Sequence, residues 1–180
     1  MTDLRPDPAS DHALAPTGEP VDVGTFRAVV GRFATGVTVV TSAVNGRDHA
    51  MTANAFTSVS LDPLLVLVCV EKEARFHDAI LESGLWTVNI LDAHGRPAAS
   101  WFATRGRPLI GQLDRFPHSR SPHTGAAVLD VAMAVVDART NAIHDGGDHS
   151  IVVGEVLAAH TRLGESVPLL YYRGRYRGLA

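Results

Sequence analysis

Apolar positions in the first third of the chain change period sharply. From Asp22 or Thr25 onward, Phe26, Val29, Val30 and Phe33 recur at i, i+3, i+4 and i+7, which predicts an amphipathic helix with Gly36 as its stop. The next run, 37–44, is rich in β-branched residues and leads through Asn45-Gly46 into a second extended stretch ending at Ala53, the pattern of a hairpin. Residues 64–70 are continuously apolar over a strand's length, which predicts a strand covered on both faces; periodicity alone leaves a buried helix open.

Helical spacing returns over 75–83 with Gly84 as its stop, followed by a strand over 85–91 and a short helix over 93–102. Residues 103–125 carry Pro, Arg, Ser and His without a clear period and read as a long loop. Two long strands follow over 126–140 and 150–161, joined across HDGGD at 144–148, and a last strand is expected over 169–176. Strands that succeed one another through turns, with few crossover helices, favour a mostly β fold, an antiparallel barrel or sandwich with peripheral helices. The α+β class follows, and a doubly wound sheet does not.

Composition narrows this further. A chain of 180 residues fits one ordinary domain, expected over 22–180, behind a flexible Pro-, Asp- and Ala-rich leader over 1–21. That length leaves no room for a Rossmann domain beside a separate substrate domain. With 46% hydrophobic and 19% charged residues the chain is expected to be globular, and a net charge of −3 supplies no basic field for nucleic acid or an anionic membrane surface. No apolar run reaches the length of a membrane span and the start lacks a signal-peptide pattern, so the cytoplasm is the expected location. Basic charge is almost all arginine, with Lys72 the single lysine. The lone Cys69 sits in an apolar run and is expected to be an inert packed thiol.

Missing motifs are informative. There is no G-x-G-x-x-G after a strand, no Walker loop, no H-E-x-x-H and no G-x-S-x-G. HDGGDH at 144–149 has the residue types of a hard-metal site and equally those of a tight hairpin; no metal is expected. The densest polar signal is MTANAFTSVS at 51–60, where Thr52, Asn54, Thr57, Ser58 and Ser60 are packed among small residues. Short hydroxyl and amide groups on extended backbone suit a flat polar ligand, although a polar strand edge has the same composition.

Four segments in order carry a resemblance: FR at 26–27 leading to FATGVTVVT at 33–41, MTANAFTSVSLDP at 51–63, GDH at 147–149 with GEV at 154–156, and LYYRGRY at 170–176. Together, over about residues 24–177, they resemble the flavin reductase family, whose small reductases serve two-component flavin monooxygenases. The resemblance implies an FMN-binding split barrel, a six-stranded antiparallel Greek-key barrel with flanking helices, built as a homodimer with flavin sites near the subunit interface. It implies NADH, or less often NADPH, as reductant of FMN or FAD, and a partner monooxygenase that consumes the reduced flavin. A non-catalytic flavin-binding module is the alternative.

Residue by residue, the resemblance places Thr35, Gly36 and Val37 and the stretch Thr52, Ala53, Asn54, Thr57 and Ser58 along the isoalloxazine and ribityl chain. Ala103 and Arg105 fall near the flavin phosphate, a guanidinium being well shaped for phosphate oxygens; a solvated loop arginine is the other reading. His149 matches the histidine on the open flavin face where the nicotinamide stacks, and a hairpin-capping histidine is its alternative. Tyr172, Arg175 and Tyr176 would add a wall and a charge for the dinucleotide, with barrel packing the competing role for the tyrosines. Ala55, Leu64 and Ala74 depart from the family pattern, the first and last by loss of a hydroxyl, which predicts weak flavin retention.

Overall fold

The chain begins with the expected helix, although its stop and its covered face differ from expectation. The structure is a computed structural model and describes residues 18, 20–162, 164 and 166–179. Residues 1–17 and 19 of the expected leader lie outside the described residues. Helix α1 (Val23–Val30) is capped by Asp22, whose carboxylate accepts the Thr25 N–H at 3.0 Å and the Thr25 hydroxyl at 2.5 Å. It ends at Gly31, and Gly36 instead lies in the short strand β1 (Thr35–Gly36). The helical apolar row does not enter the core: Phe26 is 59%, Val29 64% and Phe33 77% exposed.

Strands β2 (Thr38–Val44) and β3 (Arg47–Ala53) form the expected hairpin, with Asn45 at φ 50° and Gly46 at φ 73° as a primed turn requires. β4 (Phe56–Leu61) and β5 (Leu64–Glu71) follow. β5 is a strand, but only Val66, Val68 and Val70 are buried, while Leu65, Leu67 and Cys69 on the other face are half-buried. Helix α2 (Arg75–Ser83) stops at Gly84, φ 64°, and strand β6 (Leu85–Leu91) begins there, both at the expected positions. A 3-10 turn at Ala93–Gly95 leads into helix α3 (Arg96–Ala103).

The later chain is more broken than its hydrophobicity suggests. The long loop contains β7 (His118–Arg120), which pairs with β8 (Ala127–Leu129), and β8 is separated from β9 (Ala132–Gly146) by Asp130, whose N–H bonds the Pro117 carbonyl at 2.9 Å. β9 and β10 (His149–Thr161) run closer to the tip than expected, leaving only Gly147 and Asp148 between them. The last strand is a small hairpin, β11 (Leu170–Tyr172) and β12 (Arg175–Arg177), turned at Arg173 and Gly174, both with positive φ.

Seven strands form one antiparallel sheet in the order β3-β2-β6-β9-β10-β5-β4. Its two outermost strands are consecutive in the chain, joined only by Asn54 and Ala55. Laid flat, six strand spacings would separate the edges by about 29 Å, whereas the three steps from Ala53 to Phe56 span about 10 Å. The sheet must therefore curl until its two edge strands come together at the Asn54–Ala55 link. With β3 and β4 taken as one bent strand, six antiparallel strands run around the curl, and the long connections give the Greek-key order. The Ala55 carbonyl accepts the Cys69 N–H at 3.1 Å at this seam.

Alternating side chains then divide between two cores. Val40, Val68, Trp86, Val88 and Val152 gather on one side with Phe76 and Ile80 of α2; Val39, Ala50, Leu91 and Leu129 gather on the other with Ala99 and Phe102 of α3. Buried polar side chains are matched. Asn89 donates to the Val39 carbonyl at 3.0 Å and accepts the Leu129 N–H at 2.8 Å; Asp137 accepts from Thr87 at 2.6 Å and Ser121 at 2.8 Å. The seam beside Asn54 is thus held between two helices.

Candidate active site

A cavity of about 400 Å³ opens where the bent β3–β4 strand, the end of β5, the start of α2 and the end of α3 converge. Its walls mix apolar groups, Met51, Ala53 and Phe102 among them, with Thr52, Asn54 and His149. That size and mixture suit a flat heteroaromatic ligand held by a few polar groups. The Thr52 hydroxyl donates to the Ala99 carbonyl at 2.6 Å, so its remaining lone pair is what it offers a ligand.

Helix α2 begins at this cavity. Its cap residue, Ala74, has no side chain able to receive the first-turn N–H groups, and Ala74, Arg75 and Phe76 all line the wall. An uncapped helix N-terminus presents donors and a positive dipole end. Three guanidinium groups surround it. Arg107 is half-buried against the Phe102 ring, at 5.6 Å, and is committed to the carbonyls of Ala50 and of Thr104, the latter at 3.0 Å. Burial, followed by the neighbouring Arg75 charge, pulls its pKa below the usual arginine value. Arg75 donates to the Arg107 carbonyl at 2.5 Å, and Arg105 reaches the carboxylate of Glu71. The same end of β5 brings Cys69 to the wall, half-buried rather than packed away, with burial pushing its thiol pKa up.

His149 enters from the tip of the β9–β10 hairpin. The HDGGDH segment folds as a tight turn, with Gly146 opposite His149 and Gly147 at φ 76°. Asp148 Oδ1 lies 2.7 Å from His149 Nδ1, and this contact holds the Asp148 carboxyl below its usual pKa. Lys72 fastens the tip from β5: its backbone N–H meets the Asp148 carbonyl at 2.9 Å, its Nζ meets the Gly147 carbonyl at 2.6 Å, and it pairs with Asp145. The histidine is therefore placed by three strands' worth of contacts while its side chain remains 41% exposed.

Of the residues singled out in the sequence, Thr52, Ala53, Asn54, Ala103, Arg105 and His149 meet at this cavity. The others do not. Val37 is buried in the α3-side core, its N–H and carbonyl committed to Leu169 and Leu91. Thr35, Gly36, Tyr172 and Arg175 lie on a separate three-stranded sheet, β1-β11-β12, joined to the cavity by the Asn54 amide, which donates to the Thr35 hydroxyl at 3.3 Å. Thr57 and Ser58 lie exposed on β4. Sequence reasoning missed Glu71, Arg75 and Arg107; the uncapped start of α2 was the signal that could have located Arg75.

The chain is 40% identical over 172 residues to an NADH-dependent FAD reductase of Streptomyces globisporus, covering 93% of each chain. It is 35% identical over 169 residues to HsaB, the reductase subunit of a flavin-dependent monooxygenase of Rhodococcus jostii, covering 94% of this chain and 83% of that one. Among solved structures it is similar to BorF, the flavin reductase component of a bacterial two-component tryptophan halogenase, with a TM-score of 0.83, 43% identity and coverage of 88% of this chain and 98% of that one. The Streptomyces globisporus oxidoreductase SgcE6 in complex with NAD and FAD fragments gives a TM-score of 0.82 at 37% identity, covering 91% and 98%. Residues 30–180 match the flavin reductase like domain, and the chain belongs to that family.

Proposed function

We propose that this protein is an NAD(P)H:flavin oxidoreductase that reduces FMN or FAD and supplies the reduced flavin to a partner monooxygenase. The observation that carries this reading is the convergence, in one cavity, of an apolar wall, the uncapped α2 N-terminus with Arg105, and His149 at the mouth. Those three features correspond to the three parts of the reaction's ligands: a flat ring, a phosphate and an approaching nicotinamide.

When bound, flavin supplies the hydride-accepting N5. The chain's task is to hold donor and acceptor close and aligned, which needs no protein nucleophile. Phe102, Ala53 and Met51 exclude water from one side of the cavity, while the Asn54 amide and the Thr52 oxygen orient the ring edge. First-turn N–H groups of α2 and the Arg105 guanidinium receive the phosphate. His149, oriented through Nδ1 by Asp148, leaves Nε2 to position the nicotinamide at the open face. Thr35 lies one hydrogen bond beyond Asn54, and it and the residues that share its small sheet, Gly36, Tyr172 and Arg175, would support the ribityl side of the site.

The bare α1 row and the exposed Val59, Leu61 and Leu64 support a homodimer, since large apolar side chains left bare on a folded chain call for a covering partner. Among the described residues no helix is long and apolar enough to cross a membrane. A cytoplasmic setting fits the reading because free flavin and reduced nicotinamide are found there.

The test is to mix the protein with FMN or FAD and NADH or NADPH in all four pairings and follow the nicotinamide absorbance. Oxidation well above the protein-free background is expected in at least one pairing. Background rates in every pairing, with flavin still bound at equilibrium, would replace the enzyme by a flavin-binding module.

A further inference from the structure

Glu71 is the last residue of β5 and stands opposite His149 in the β5–β10 ladder. Its side chain is 31% exposed, and both of its oxygens accept from one guanidinium nitrogen of Arg105, at 2.5 and 2.8 Å. Both residues line the cavity at the mouth where α2 begins. The neighbouring cations are already engaged with carbonyls, Arg107 with Ala50 and Thr104 and Arg75 with Arg107. Arg105 is therefore the guanidinium at this rim whose partner is itself an anion, 76% exposed and free to swing.

We propose that Glu71 competes with the flavin phosphate for Arg105 and so sets how long flavin is retained. The inference rests on the flavin-reductase reading above and goes beyond it by naming the residue that weakens retention. A phosphate arriving at the α2 N-terminus needs a cation, and the one poised there is neutralised by Glu71. Exchange is feasible because the guanidinium half of the pair is largely exposed and so held weakly, and a phosphate offers it an equally good fork. After exchange the Glu71 carboxylate stays beside a dianionic group, and the like-charge contact favours release. Helix donors bring the phosphate in; Glu71 keeps it from staying. Such a balance suits a protein whose reduced flavin must leave for another enzyme.

The experiment compares equilibrium affinity for oxidised FMN and for riboflavin, which carries the same ring and ribityl chain without phosphate, in the wild type, Glu71→Gln and Arg105→Gln. Glu71→Gln keeps the side chain's size and removes its charge. It is expected to tighten FMN by about three- to tenfold, slow FMN dissociation by a similar factor and leave riboflavin within about twofold. The advantage should shrink as ionic strength rises. Arg105→Gln is expected to lower the FMN-to-riboflavin affinity ratio. An unchanged ratio in Glu71→Gln, or equal tightening of both flavins, overturns the competition. An unchanged ratio in Arg105→Gln overturns Arg105 as the phosphate partner and the proposal with it. Failure of the wild type to bind either flavin removes the flavin reading itself, whereas unchanged ratios with NADH oxidation intact remove the roles of Glu71 and Arg105 and leave that reading standing.

Discussion

His149 Nδ1 sits 2.7 Å from Asp148 Oδ1, a contact between adjacent residues at a hairpin tip that Lys72 ties to β5. The carboxylate engages Nδ1 and so leaves Nε2 as the ring nitrogen available to a ligand. On the proposed reading, this arrangement would fix a side chain that orients the hydride donor without itself making a bond.

His149→Ala should accordingly separate nicotinamide from flavin. Apparent KM for the preferred nicotinamide is expected to rise, or kcat to fall, by about tenfold, while flavin affinity measured by fluorescence quenching changes by less than about twofold. Asp148→Asn should produce a smaller effect in the same direction. Equal loss of flavin affinity would assign His149 to the structure of the tip instead.

A second expectation concerns the α1 row. Val29 is 64% exposed on a helix whose residues are none of them buried, and Phe33, just beyond the helix's end at Gly31, is 77% exposed. If a second copy covers this row, Phe33→Asp should raise the dimer dissociation constant by at least tenfold, because a charge carried into an apolar interface must be desolvated. Light scattering after size exclusion reads the change directly. A wild type that is monomeric at tens of micromolar would refute the dimer.

These results show why some of the molecule was legible in the chain and some was not. α2 and β6 begin and end where expected because Gly84 takes a positive φ that other residues resist, so its punctuation is physical. The α1 stop was placed too far along because Phe33 continues the apolar period past Gly31, and periodicity reports an apolar face without saying what covers it. At the site, the short-range segment 52–54 and the GDH turn were readable as motifs. The Glu71–Arg105 pair was not, since 34 positions separate residues that only the meeting of β5 with the α3 exit brings together. Val37 lies away from the cavity for a related reason: its backbone is paired with Leu91 and Leu169, a long-range pairing that its local sequence does not record.

Gly154 offers a stability test independent of the chemistry. A methyl group there would overlap the Cζ2 of fully buried Trp86 and lie 3.0 Å from the Ala138 Cβ. Trp86 has little freedom to retreat, because its indole N–H donates to the Thr140 hydroxyl at 3.1 Å. Gly154→Ala should therefore destabilise by about 1–3 kcal/mol, lowering Tm by about 3–10 °C. Differential scanning calorimetry with near-ultraviolet circular dichroism checks both the stability and the tryptophan environment. A Tm within a degree of wild type would mean that the Trp86 ring is not confined as described.

Cys69 supplies the last prediction, since the single thiol lies on the cavity wall. Burial disfavours its thiolate and pushes its pKa above the ordinary cysteine value, so at neutral pH it remains protonated and unreactive. Alkylation by iodoacetamide should be slow at pH 7 and accelerate with pH later than for a free thiol. At alkaline pH, saturating FMN should slow the modification by about fivefold or more, because the ring would cover the wall that Cys69 shares with Met51 and Ala53. Mass spectrometry of the intact chain gives the rate without interference from other cysteines, this being the only one. Cys69→Ser should keep flavin reduction close to wild type, which separates a thiol that merely reports on the cavity from one that takes part in the reaction. Equal alkylation rates with and without bound FMN would place the flavin elsewhere on the barrel.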